Sequence, residues 1–156
     1  MSLGNTNSFA KGPYIPINRQ KYIGTNIGKI VYRSSWELKV MQFFDNHPSV
    51  LYWMSESISI PYKNPLAMSS SKLWSLYIPD FFVMYTDKSN NKHSEIVEVK
   101  PAKEMPGFQG KVPTAVKLIQ AQNAAKWQAA MIYCHKRNWF FRVINEKQLF
   151  SFVRKN

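Results

Sequence analysis

Only nine Asp and Glu residues occur among the 156 of this chain, against 21 Lys and Arg, so an acid in an apolar strand calls for a reason. Two such acids are Asp80, in the run IPDFFV, and Glu98, in the run IVEVK. Residues 74–86 read as a strand, the polar run DKSNNK at 87–92 as a tight loop, and residues 93–100 as the returning strand. A hairpin centred near residue 89 sets Asp80 directly opposite Glu98, where Cβ atoms lie about 4.5–5.5 Å apart. Two carboxylates at that distance repel unless one is protonated or a cation lies between them. Hard oxygen donors on a dry strand suit Mg²⁺, with Mn²⁺ as a substitute. Lys100 follows Glu98 by two residues and shares its strand face, placed to polarise an attacking water or offset charge on a phosphate. A register slip of one residue would undo this alignment.

Plainer explanations exist for each residue alone. Glu98 and Lys100 can form a surface ion pair, and Glu-x-Lys is a common pattern. Asp80 after Pro79 can serve a turn. The joint arrangement of Pro-Asp on one strand and Glu-x-Lys on its hairpin partner is more specific. A third acid, Glu37, fits a capping box as Ser34-x-x-Glu37, a role compatible with a place in the same site. Glu56, in YWMSESISIPY, is a weaker candidate that would lie either near the site or on an exposed edge. His47, His93 and His135 show no metal-ligand spacing, and no Gly-rich phosphate loop is present.

The elements that must position these residues follow from periodicity. Residues 1–28, rich in Gly, Asn, Ser and Pro, read as an extended basic arm, and residues 29–156 as one domain. A short strand is expected near residues 30–33. A helix then starts at Ser34–Ser35, carries Trp36, Val40, Phe43 and Phe44 on one face, and ends at Asn46-His47-Pro48. A strand over 50–62, turn chemistry over 63–72, the hairpin, and a Pro- and Gly-bearing loop over 101–113 come next. A long helix is expected from about Thr114 to His135, with Val116, Ile119, Trp127, Met131 and Cys134 near one side, followed by a strand over 139–144. The order is helix, three strands, helix, strand, in an α/β domain with a mixed sheet.

Composition narrows the partner. A formal charge of +12 favours a polyanion, DNA or RNA first. Anionic membrane is less suited, because no basic amphipathic helix stands out and no apolar run is long enough to span a bilayer. One cysteine, Cys134, excludes a disulfide framework or cysteine-rich zinc site and fits a reducing compartment. No charged-then-apolar leader suggests secretion.

With SSWE at 34–37, IPDF at 78–81 and EVK at 98–100 in hand, the chain resembles the PD-(D/E)XK nuclease superfamily over about residues 30–145. That resemblance implies a restriction-endonuclease-like core with Glu37, Asp80, Glu98 and Lys100 catalytic. Asp80, Glu98 and Glu37 would hold the metal. A Gln or Lys on the second core helix is often present in the family, which makes Gln122 and Lys126 auxiliary candidates; they lie one helical turn apart on one face, where a solvated polar face is the alternative.

More narrowly, length, basic arm and the run WE…PDF…VEVK resemble the small head-completion nucleases of tailed bacteriophages. The implied activity is Mg²⁺-dependent hydrolysis of DNA during head completion after packaging, with phage portal or head proteins as partners and no membrane. The implied location is the host cytoplasm during assembly, with the virion as a second location. A non-catalytic DNA-end or portal-binding head-closure protein is the alternative of another class. A transposon-end nuclease subunit has a similar catalytic run and ranks lower, because the extra domain expected of that role is not seen. Lys103 and Lys111 on the loop, with Lys117 and Lys126 on the long helix, are the expected phosphate contacts, without base reading.

Binding to two unrelated duplexes should therefore be equal and should weaken steeply with salt, log affinity falling by about 0.9 per phosphate contact per decade of salt concentration. A flat salt response in a titration series would contradict the charge-based assignment.

Overall fold

Ser34 ends an extended stretch and caps the first helix: its hydroxyl oxygen accepts from the Glu37 N–H (3.2 Å). The structure, a computed structural model, describes residues 10–67 and 72–148. The described elements are β1 (Gly12–Pro13), β2 (Val31–Tyr32), α1 (Ser35–Asn46), β3 (Val50–Ser55), β4 (Ile60–Lys63), β5 (Trp74–Tyr77), β6 (Phe81–Thr86), β7 (Lys92–Val99), α2 (Thr114–His135) and β8 (Phe140–Ile144). Residues 1–9 of the expected arm, 68–71 of the expected turn and 149–156 of the expected domain lie outside the described residues.

The central sheet has the order β3-β6-β7-β8. β3–β6 and β6–β7 are antiparallel, and β7–β8 is parallel, with α2 as the crossover. The sheet is thus mixed, as expected. α1 covers one face through Val40, Met41 and Phe44, which pack with Trp53, Phe81 and Val97. α2 covers the other through Trp127, Ala130 and Cys134, which pack with Phe82 and Ile96. β7 is covered on both sides, so Glu95 to Val99 are all buried.

Two expected strands are broken. The stretch 50–62 divides into β3 and β4, and 74–86 into β5 and β6. The distal halves β4 and β5 pair only with each other, with Ile60 opposite Tyr77 and Lys63 opposite Trp74. They form a wing that leans on α2. Pro79 has no N–H to give a ladder, and Glu56, across from the next residue Asp80, adopts a left-handed φ of 47°. Ser55-Glu56-Ser57 and Pro79-Asp80 interrupt the two apolar stretches, but neither shows that the halves beyond them pair apart from the central sheet.

The helix faces also shift from expectation. In α1 the fully buried apolar residues are Val40, Met41 and Phe44, while Trp36 and Phe43 are half-buried; Glu37 and Asp45 share the inward face. In α2 the buried residues are Asn123, Trp127, Ala130 and Cys134, and Ile119 and Met131 stay 37% and 54% exposed. The apolar residues of α2 are spread round the helix, with Leu118, Ile119, Met131 and Ile132 all exposed, so period alone does not select its inner face.

The expected extended arm is folded onto the domain over its described part. Asp45 takes hydrogen bonds from the Tyr14 hydroxyl (2.7 Å) and the backbone N–H groups of Ile17 (2.7 Å) and Asn18 (2.8 Å). Tyr22 inserts edge-on against Trp53 at 4.8 Å between ring centroids. Burial raises the Asp45 carboxyl, but the bonds from Tyr14, Ile17 and Asn18 outweigh it and hold its pKa below the ordinary value.

Asp45→Ala should cost about 3 kcal/mol, because it strands two backbone donors and a hydroxyl at once. Hydrogen exchange should quicken over residues 10–22 before the sheet opens. For wild type, a depressed folded pKa means that Asp45 contributes fully above the unfolded carboxylate range, and the contribution fades as pH falls below it. Denaturant melts of both proteins across acid pH should converge.

Candidate active site

The break at Pro79 is where the candidate residues gather. The β6–β7 ladder runs from Thr86 opposite Lys92 to Phe81 opposite Val97, the register expected from the sequence. Asp80, one residue beyond the end of β6, stays against β7: its Oδ2 accepts from the Val99 N–H (2.8 Å), and its own N–H donates to Glu98 Oε2 (3.1 Å). Glu98 Oε2 also accepts from the Tyr77 hydroxyl (2.6 Å). Lys100 Nζ lies 3.8 Å from Glu98 Oε1, on the shared strand face. Glu37 Oε2 accepts from the Arg33 N–H (2.8 Å), one residue outside the box partner expected. A short hydrogen bond thus fastens one oxygen of each acid. Glu98 Oε1 is turned to Lys100, and the Ser34 side chain gives the Glu37 carboxyl a further hydrogen bond.

The electrostatics are tense. Burial, then the charges of Glu98 and Glu37, push the Asp80 carboxyl well above its ordinary pKa. Burial raises Glu98 as well, opposed by Lys100 and the Tyr77 hydrogen bond. Burial raises Glu37, opposed by its Arg33 N–H bond, while the Glu56 charge adds to the rise. Among the described residues, no group of three His, Cys, Asp or Glu could hold a metal ion by themselves. Asp80 and Glu98 adjoin, and Glu37 acts on Asp80 through charge. Two adjoining buried carboxylates fit an ion such as Mg²⁺ that keeps several of its waters.

From α2, Lys126 sits over the rings of Tyr77 and Tyr62, at 5.8 and 6.0 Å from their centroids. Burial and then the nearby Lys100 lower its pKa, while Glu98 and Asp80 pull it back up. Lys126 thus faces the acids and is half-buried, whereas Lys103, Lys111 and Lys117 are exposed. Gln122 reaches the wing, donating to the Tyr62 hydroxyl (2.9 Å). Glu56 stands at the break, where its N–H donates to the Asp80 carbonyl (3.0 Å) and its carboxylate holds Arg33 through two bonds of 2.7 and 3.1 Å. A cavity of about 810 Å³, lined by Phe43, His47, Asp87, Glu95 and Arg142 among others, reaches the opposite ends of β6 and β7 and contains none of these residues.

Residues 47–146 match the family described as TnsA-like endonuclease N terminal. The chain belongs to that family. It is also 30% identical over 147 residues to the head completion nuclease of Enterobacteria phage T4, a match covering 88% of this chain and 92% of that protein. The chain is a nuclease, a hydrolase of phosphodiester bonds. The family match spans Asp80, Glu98, Lys100, Gln122 and Lys126 and begins after Glu37.

Sequence reasoning missed Tyr77 and Arg33. Tyr77 is an odd number of residues from Asp80, so an unbroken strand would point it to the other face. Only the turn at Pro79 brings its hydroxyl to Glu98. Arg33 precedes the helix cap, and nothing in its spacing signals a contact with Glu56, 23 residues on.

Without divalent cation, the raised folded pKa values of Asp80, Glu98 and Glu37 make stability fall as pH rises from the unfolded carboxylate range toward the folded pKa. Asp80→Asn should raise the metal-free Tm at neutral pH and lose that advantage in acid. Melting curves that show no gain at neutral pH would contradict the strain assigned to this pair.

Proposed function

We propose that this chain is a metal-dependent DNA nuclease that acts in phage head completion, through a site built from Asp80, Glu98, Lys100 and Glu37. The carrying observation is the buried pair Asp80 and Glu98, hydrogen-bonded in place at one hairpin end, with Lys100 on Glu98 and the charge of Glu37 acting on Asp80. The helix, three strands, helix, strand order around a mixed sheet supports a restriction-endonuclease-like core.

Asp80 and Glu98 would hold Mg²⁺, or Mn²⁺ in its place, with Glu37 placing a second ion or a metal-bound water. Such an ion supplies Lewis acidity and lowers the pKa of bound water. The Tyr77 hydroxyl and the Asp80 and Val99 N–H groups keep the carboxylates from turning away. Lys100, drawn toward Glu98, would orient the nucleophile or offset the charge that builds on the phosphate. Lys126, with its lowered pKa, and Gln122 line the α2 side as auxiliary groups. Exposed Lys103, Lys111 and Lys117 would hold phosphates without reading bases. The name of the T4 relative suggests head completion, with portal or head proteins as partners. Assembly in the host cytoplasm, and a place in the virion, follow from that role.

Mg²⁺ or Mn²⁺ should support cleavage, whereas Ca²⁺ should allow binding with poor turnover because its looser coordination misplaces the water. Asp80→Asn should retain its fold and its metal-free DNA affinity while cleavage drops by roughly a thousandfold, the scale of losing several kcal/mol of charge stabilisation. In a phage background the same substitution should block production of infectious particles. Normal particle yield would assign the chain a structural closure role and overturn the enzymatic account.

A further inference from the structure

The wing formed by β4 and β5 buries one face and leaves the other bare. Ile60, Tyr62 and Tyr77 turn inward with the α2 residue Trp127. On the outer face Trp74, Leu76 and Ile78 are 61%, 65% and 50% exposed. Side chains alternate along a strand, so these three form one continuous apolar strip. Such a strip next to a reactive centre marks a contact surface. It begins two residues from Asp80.

Charge identifies what the strip meets. Residues 57–79 contain Lys63 and Lys72 and no acid at all. Lys63, paired across the wing with Trp74, holds its ammonium 5.6 Å from the Trp74 ring centroid. An apolar, aromatic-tipped strip with Lys63 on its tryptophan and Lys72 two residues before it suits a ligand that joins flat apolar faces to an anionic backbone. Nucleic-acid bases have those faces, but a duplex hides them in its stack, and only an unpaired strand presents them.

We infer that the outer face of the wing binds an unpaired DNA strand, with a base stacked on Trp74 and its backbone beside Lys63, and feeds the adjoining phosphates toward Asp80. The inference rests on the nuclease assignment and deepens it: the favoured substrate is DNA with a frayed, single-stranded or branched end. A protein partner on this face is the competing occupant, and two lysines with no acid over residues 57–79, in a chain of charge +12, argue for nucleic acid.

The test uses a labelled duplex with one end splayed into about six unpaired nucleotides, within the range of a single-strand site, beside a blunt duplex of equal length. Binding is measured on the full chain without metal, and cleavage separately with Mg²⁺. Wild type should bind the splayed duplex on the order of tenfold more tightly, the scale of one stacked base. Trp74→Ala and Leu76→Ser should each lose far more affinity for the splayed duplex than for the blunt one, and Trp74→Phe should restore most of the preference. Equal affinity of wild type for both duplexes, or equal losses on both in the variants, would overturn the inference. So would unchanged DNA binding accompanied by lost self-association in sedimentation, which would make the face a protein contact. Failure of the nuclease assignment would appear elsewhere, as absence of Mg²⁺-dependent cleavage of any DNA by wild type.

Discussion

Where β3 and β6 leave the central sheet, the Glu56 N–H donates to the Asp80 carbonyl, and this one tie sets the shape of everything around it. It holds two strands together at the point where Pro79 can contribute no ladder bond. Beyond it the chain changes direction, and the wing swings onto α2 instead of extending the sheet. Asp80 is left just past the end of its strand, still gripped by β7 through the Val99 N–H and Glu98. α1 lies on one side of the sheet and α2 on the other, and the break is where charges from both reach one carboxylate. Glu37 acts on Asp80 from α1, and Lys126 is in electrostatic contact with it from α2.

That arrangement stores electrostatic work. Asp80, Glu98 and Glu37 are all held above their ordinary pKa values, chiefly by burial. Two of them are hydrogen-bonded neighbours along the same hairpin end. Hydrogen bonds from the backbone and from Tyr77 prevent relief by rotation, so the tension can be released only by a proton or a cation. A protein with so few acids thus keeps three of them in this state within one small region.

α1 serves two masters at its opposite ends. Glu37 in its first turn faces the site, and Asp45 in its last turn binds the incoming chain through Tyr14, Ile17 and Asn18. The helix that carries Glu37 is thus tied at its far end to a segment that composition alone reads as an extended arm. Tyr22 against Trp53 extends this clamp to β3, close to the strand end that carries Glu56.

The hairpin register, the α1 cap, both helix spans and the pairing of Asp80 with Glu98 and Lys100 were legible in the residues, because turn chemistry, capping and period-2 alternation are local. Loop DKSNNK by its position decides which residues of β6 and β7 face each other, and alternation then puts Glu98 and Lys100 on one face. The breaks at Glu56 and Pro79 were not legible as such: Ser55-Glu56-Ser57 and Pro79 mark them, but which strands pair beyond them depends on contacts distant in sequence. The roles of Tyr77, Arg33 and Asp45 were hidden for the same reason: each partner is 21, 23 or 27–31 residues away, and no local pattern encodes such a contact. The inner face of α2 was misjudged because a helix whose apolar residues are spread round it has no preferred side until the sheet and the wing close on it. Sequence determines which groups exist and how neighbours along a strand must alternate. Which distant groups meet is decided only when burial of two helix faces against one sheet fixes the chain's path in space.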